Sequence, residues 1–99
     1  MQIELIGDYE ATLTPGAEPT LVLHHLVRGH DVVALGEAAV AELRELLAVS
    51  QKRIRELGGY NAILGAGGDL TLYTATGQRA CYLNGDQAAR LARLLALAG

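Results

Sequence analysis

The chain has 99 residues, 51% of them apolar and 19% charged, with a formal net charge of −3. That length is one domain, that apolar share excludes a disordered chain, and mild acidity excludes a generally basic nucleic-acid binder while leaving room for a local basic patch. Cys81 is the only cysteine, which excludes an internal disulfide and predicts a reducing, cytoplasmic setting.

The first stretch, QIELIGDYEATLT, alternates in two registers. Ile3 and Leu5 share one face, and Tyr9, Ala11 and Leu13 share another; Gly7-Asp8 between them is a turn or a bulge. PGAEP (15–19) turns the chain, TLVLHHLV reads as a strand, RGHD turns again, and VVAL returns. From Gly36 onward Val40, Leu43, Leu47, Ser50, Ile54 and Leu57 recur three or four apart, which predicts one helix over 37–57 capped by Gly58-Gly59. YNAIL, LTLYTA and RACYL then read as strands, and Asn84-Gly85-Asp86 as the N-cap region of a last helix over 86–97. No basic, apolar leader opens the chain, and no apolar run approaches about eighteen residues, so neither a secretory signal nor a transmembrane helix is expected.

Two segments share a design. Shifting the chain by 48 residues places Gly29 on Gly77, Leu35 on Leu83 and Leu43 on Leu91; a shift of 49 places Leu21 and Leu23 on Leu70 and Leu72. The expected fold is therefore α+β: two β-β-β-α units, about 9–57 and 60–98, in one domain over 1–99. Antiparallel sheet with two helices on one face would have a pseudo-twofold arrangement and the pattern of an internal duplication. A three-stranded sheet with one helix is marginal alone, so the two leucine stripes should share one core.

Few residues carry recognisable chemistry. His24 and His25 are adjacent on a strand and point to opposite faces; His30 lies in a turn beside Asp31, a candidate pH-sensitive pair. No metal-ligand spacing is present, so no metal and no cofactor are expected. Cys81 reads as a small core residue, although Arg79 two residues away would share its strand face. GAGGD (65–69) lacks a P-loop lysine, precedes a strand and has no helix N-terminus beside it. Ser50, the only serine, falls within the expected long helix, and the carboxylates are scattered singly. An enzyme is not expected.

Two binding readings follow. The long first helix extends past the part matched by the second, so Arg53, Ile54 and Leu57 are the candidate protein-interaction residues. The apolar share predicts a homodimer or another protein partner, with acidic side chains steering toward a basic one. Small, acidic, motif-poor chains of this kind include inhibitors and accessory proteins of phages and mobile elements, an analogy only. The alternative is a single-stranded nucleic-acid-binding or transcription-associated protein using an open sheet face, where Arg28, His24, Tyr73, Arg79 and Tyr82 supply stacking and positive charge. In outline, the strand–turn–strand–helix pattern resembles the units of PUR-repeat and positive-cofactor-type single-strand binders. That resemblance implies a curved sheet presenting basic and aromatic side chains with helices behind it.

Overall fold

The computed structural model describes residues 1–49 and 52–98. Four strands, β1 (Gln2–Ile6), β2 (Tyr9–Thr14), β3 (Thr20–His25) and β4 (His30–Leu35), lead into α1 (Glu37–Ala48). Four more, β5 (Arg53–Leu57), β6 (Tyr60–Leu64), β7 (Leu70–Thr74) and β8 (Arg79–Leu83), lead into α2 (Gly85–Leu95) and a last 3-10 turn, Ala96–Ala98. Each set of strands is an antiparallel meander, β1-β2-β3-β4 (sheet A) and β5-β6-β7-β8 (sheet B). The α+β class and the two-unit pattern are as expected, with one strand more at the front of each unit.

That extra strand corrects the long helix. α1 stops at Ala48, where Val49 turns to extended backbone. Arg53, Ile54 and Leu57 lie on a strand rather than a helix, and Ser50 lies outside the described residues. In RIREL, spacings of three between Ile54 and Leu57 fit a helix, but Arg53, Arg55 and Leu57 also alternate as a strand. Pairing with β6 over Arg53↔Leu64 to Leu57↔Tyr60 decides the matter. Gly58-Gly59 is accordingly not a helix cap but the two-residue hairpin turn between β5 and β6, with both φ values positive. Gly7-Asp8 is the matching turn between β1 and β2.

The units therefore run from β1 through α1 and from β5 through α2. Their buried residues superimpose nearly one for one. Ile6, Ala11 and Leu13 match Leu57, Ala62 and Leu64 at an offset of 51. Leu21 and Leu23 match Leu70 and Leu72 at 49; Val33, Leu35, Leu43 and Leu46 match Cys81, Leu83, Leu91 and Leu94 at 48. The offset falls because the later turns of the second unit are shorter. All these side chains form one hydrophobic cluster, with no buried polar residue in it.

The cluster is shared because each helix crosses to the other unit. α1 packs on β5 and β6 as well as on its own β3 and β4, while α2 packs on β1, β2, β8 and α1. Reciprocal bonds repeat the crossing. The Tyr9 hydroxyl accepts the Tyr82 N–H at 3.3 Å, and the Tyr60 hydroxyl accepts the Ala34 N–H at 3.4 Å. Each tyrosine thus binds the edge strand of the other sheet, where β4 and β8 come together. Burial raises the Tyr9 phenol above its ordinary value of 10.0, the bond from Tyr82 opposing this in part.

Equivalent ion pairs have opposite polarity. On β1 Glu4 meets Arg90 of α2 at 3.3 Å; on β5 Arg55 meets Glu42 of α1 at 2.7 Å and Glu45 at 3.1 Å. Arg90 also donates to the Leu5 carbonyl, a second tie between α2 and β1. Crossed packing thus brings unlike charges together, whereas packing each helix on its own β1 or β5 would oppose like charges. Glu4 and Arg90 are 33% and 41% exposed, so their coupling is small, about 0.2–1 kcal/mol. In a double-mutant cycle, Arg90→Glu costs more than Glu4→Arg because it also loses the carbonyl bond. The double variant recovers the coupling in urea denaturation; strict additivity would deny the pair any role.

Candidate ligand-binding surface

The helices cover the inner faces of both sheets and leave the outer faces open. On sheet A, one outer row runs Leu5–Glu10–His24–Asp31 and the next Ile3–Thr12–Val22–Ala34. On sheet B, the equivalent rows are Glu56–Asn61–Tyr73–Arg79 and Ile54–Ile63–Thr71–Tyr82. Asp31 and Ala34 of one sheet are thus Arg79 and Tyr82 of the other.

A register shift places Arg79. β7 and β8 pair Leu72↔Cys81 and then Tyr73↔Arg79, leaving Ala80 as an extra residue in β8. Without it, Arg79 and Cys81 would share a face, as simple alternation predicts. With it, Cys81 turns inward and is buried while Arg79 joins Tyr73 and Tyr82 outside. β3 and β4 carry the same irregularity between Leu23 and His24.

Beyond the edge of β8 lies a polar cleft of about 430 Å³ between the two units. Arg79, Tyr82, Asn84 and Gln87 of the second unit line it, together with Asp8, Tyr9, His25 and Arg28 of the first. Arg28 is placed by the β3–β4 turn, where its N–H donates to His25 Nδ1 at 3.1 Å. Tyr9 packs edge-on against the His25 ring, centroids 5.2 Å apart. Neither Arg28 nor Arg79 forms an ion pair among the described residues.

Of the five residues of the nucleic-acid reading, the structure gathers Arg28, Tyr73, Arg79 and Tyr82 around β8. It separates His24, which lies on sheet A with Nδ1 2.9 Å from the Asp31 carboxylate. Asp31 thus pairs with His24 rather than with its neighbour His30, whose ring Nδ1 lies 3.2 Å from the Asp31 carbonyl oxygen instead. Of the protein-interaction residues, Arg53 and Ile54 are exposed, but Leu57 is fully buried and cannot meet a partner. Ile3 and Leu5, which share one face by their alternation, face outward at 55% and 56% exposure. Sequence reasoning missed His25, Asn84 and Gln87 as cleft residues. The matching Gly-x-Tyr turns, Gly7-Asp8-Tyr9 and Gly58-Gly59-Tyr60, carried the offset that would have aligned them.

GAGGD is a tight β6–β7 turn, closed by Gly65 N–H to the Asp69 carbonyl at 2.9 Å and Gly68 N–H to the Gly65 carbonyl at 3.1 Å. Contrary to expectation a helix N-terminus does adjoin it: a Cβ on Gly85, the first residue of α2, would lie 2.7 Å from the Gly67 carbonyl oxygen. That oxygen therefore packs against the first residue of α2, which leaves no room for a side chain there. Among the described residues, no three His, Cys, Asp or Glu side chains gather as metal ligands, and no helix is long and apolar enough to cross a membrane.

Burial pushes the Cys81 thiol up to about 12 from its ordinary 9.0. At neutral pH it is protonated and inaccessible, unsuited to nucleophilic work. Because ionisation is easier in the unfolded chain, this group's contribution is complete below about pH 9 and is lost as pH rises toward 12. Cys81→Val, which copies Val33 of the first unit, should flatten that part of the alkaline stability loss in urea titrations. An unchanged profile would contradict the assignment.

No family model matches the chain, and comparison with curated proteins and with solved structures gives no match. The outline resemblance to single-strand binders gains no support from them.

Proposed function

We propose that the chain is a non-catalytic binding module that takes single-stranded nucleic acid across the outer face of sheet B. Tyr73 and Tyr82 act as stacking platforms, and Arg79 and Arg28 neutralise the backbone. The observation that supports this reading best is the irregularity at Ala80, which turns Arg79 onto the face of both tyrosines. With two arginines engaged and an acidic chain around them, binding is weak and salt-sensitive, with a log–log slope of about −1.4 for two contacts. The test is fluorescence anisotropy of a labelled oligonucleotide at low salt. Tyr82→Ala should weaken binding about 5- to 150-fold, the range for one lost stack. Absence of binding by the unmodified chain at low salt would dismiss the reading.

A second reading is favoured by Ile3 and Leu5, adjacent on the outer face of the free edge strand β1, with Ile54 at the equivalent place on β5 at 67% exposure. Here a protein, or a second copy, covers an apolar sheet edge, which is how an inhibitor or accessory role would operate. Light scattering across a concentration series tests self-association, and a strict monomer would remove that form of it. Either role suits a reducing, cytoplasmic setting.

A further inference from the structure

The two units provide an internal control on the polar cleft. Through the offsets of the fold, its wall residues Asp8, His25, Arg79, Tyr82, Asn84 and Gln87 correspond to Gly59, Thr74, Asp31, Ala34, Gly36 and Ala39. The correspondence is physical as well as numerical. A Cβ on Gly7 would meet Gln87 and one on Gly58 would meet Ala39, while Asn84 and Gly36 are the N-caps of their helices. The same backbone is thus built once with long polar side chains and once with small or neutral ones, or with the opposite charge. The fold does not require the polar set.

The hydrogen bonds inside the cleft indicate what that set does. Asn84 Oδ1 accepts the Gln87 N–H at 2.9 Å, and Gln87 Oε1 accepts the Asn84 N–H at 3.0 Å, so both amides retain their NH2 groups as donors. His25 Nδ1 accepts from Arg28, which leaves Nε2 as the protonated nitrogen. The acceptor atoms of these three side chains are used within the protein, and donors remain. To them are added the guanidinium groups of Arg28 and Arg79, against one carboxylate, Asp8. A cleft of about 430 Å³ is within the usual range for small-molecule sites.

We propose that this cleft binds a phosphomonoester, supplied either by a free mononucleotide or by the terminal phosphate of a single strand. Two guanidinium groups match a dianion better than the single charge of an internal phosphodiester, and guanidinium geometry suits phosphate oxygens in pairs. The site does not depend on sheet B carrying a strand.

The test titrates the full chain with adenosine monophosphate, adenosine and inorganic phosphate at low salt, followed by amide NMR shifts. Oligonucleotides of one sequence carrying a 5′-phosphate, a 3′-phosphate or only hydroxyl ends are compared in parallel. Adenosine monophosphate should give saturable shifts at His25, Arg28, Arg79 and Asn84, and adenosine none. Arg28→Gln and Arg79→Gln, both at exposed positions, should each weaken the response at least about tenfold. If only a phosphorylated oligonucleotide end saturates these residues, the strand is the source; if the mononucleotide does so alone, the source is the free nucleotide, and the sheet reading is judged separately by whether the hydroxyl-ended strand binds. Equal responses to adenosine and its monophosphate, or no saturable shift with any phosphomonoester, would overturn the proposal even if hydroxyl-ended strands bind.

Discussion

Leu91→Ala lowers the stability of the whole molecule by about 2–5 kcal/mol, the range for truncating a fully buried leucine. The loss has two parts, apolar burial given up and a cavity that the surroundings refill only in part. Refilling is poor here because α2 is held from several sides. It packs on β1 and β2 of one sheet, on β8 of the other and on α1, so no single neighbour can collapse toward the hole. A domain of this size has about 5–15 kcal/mol in total, so the substitution removes a large share of it. Leu43→Ala, at the equivalent position in α1, should cost a similar amount. Urea denaturation reads both, and a cost below about 1 kcal/mol at either site would contradict the packing described.

Gly7→Ala should cost more than Gly58→Ala, although both glycines follow the first strand of a unit. Their φ values are +60° and +50°, a region that costs an L-residue about 1–2 kcal/mol. Surroundings separate them. A methyl group on Gly58 meets only the Ala39 Cβ at 3.7 Å, ordinary contact. One on Gly7 would stand 2.5 Å from Gln87 Nε2, so Gln87 must move and its bond to the Asn84 N–H opens. Loss of that half of the capping box adds about 0.5–1 kcal/mol, bringing Gly7→Ala to about 1.5–3 kcal/mol. The added part should vanish in a Gln87→Ala background, because alanine already occupies the equivalent place in the first unit. Equal costs for the two glycines, with no dependence on Gln87, would contradict this geometry.

Much of the fold was readable because leucine spacing survives in both units. Leu21-x-Leu23 and Leu70-x-Leu72 announce strands with one buried face, and Leu35 and Leu83 mark the ends of the edge strands before each helix. β1 and β5 were harder to read for a common reason. Their buried faces carry Glu4 and Arg55, each paired with the opposite helix, while Ile3, Leu5 and Ile54 face water. Hydrophobic alternation therefore groups Ile3 with Leu5 without telling that their face is the open one, and in β5 it merges with the helical stripe of α1. Polar side chains can sit at those inner positions only because of a contact made between units, which local sequence does not contain.

The binding surface was legible in residue type but not in arrangement. Tyrosine and arginine marked Tyr73, Arg79 and Tyr82, and the turn marked Arg28. Whether Arg79 shares a face with the tyrosines or with Cys81 depends on one unpaired residue, Ala80, which alternation alone cannot reveal. His24 was grouped with them by strand position, yet it belongs to the other sheet and to Asp31.

Native-state hydrogen exchange on Leu91→Ala addresses the common interior most directly. If α2 locks both sheets, the slowest amides of β2 and β3 should lose as much protection as those of β6 and β7, by one shared amount. A variant in which sheet B opens readily while sheet A keeps its original protection would mean that the two units stand independently.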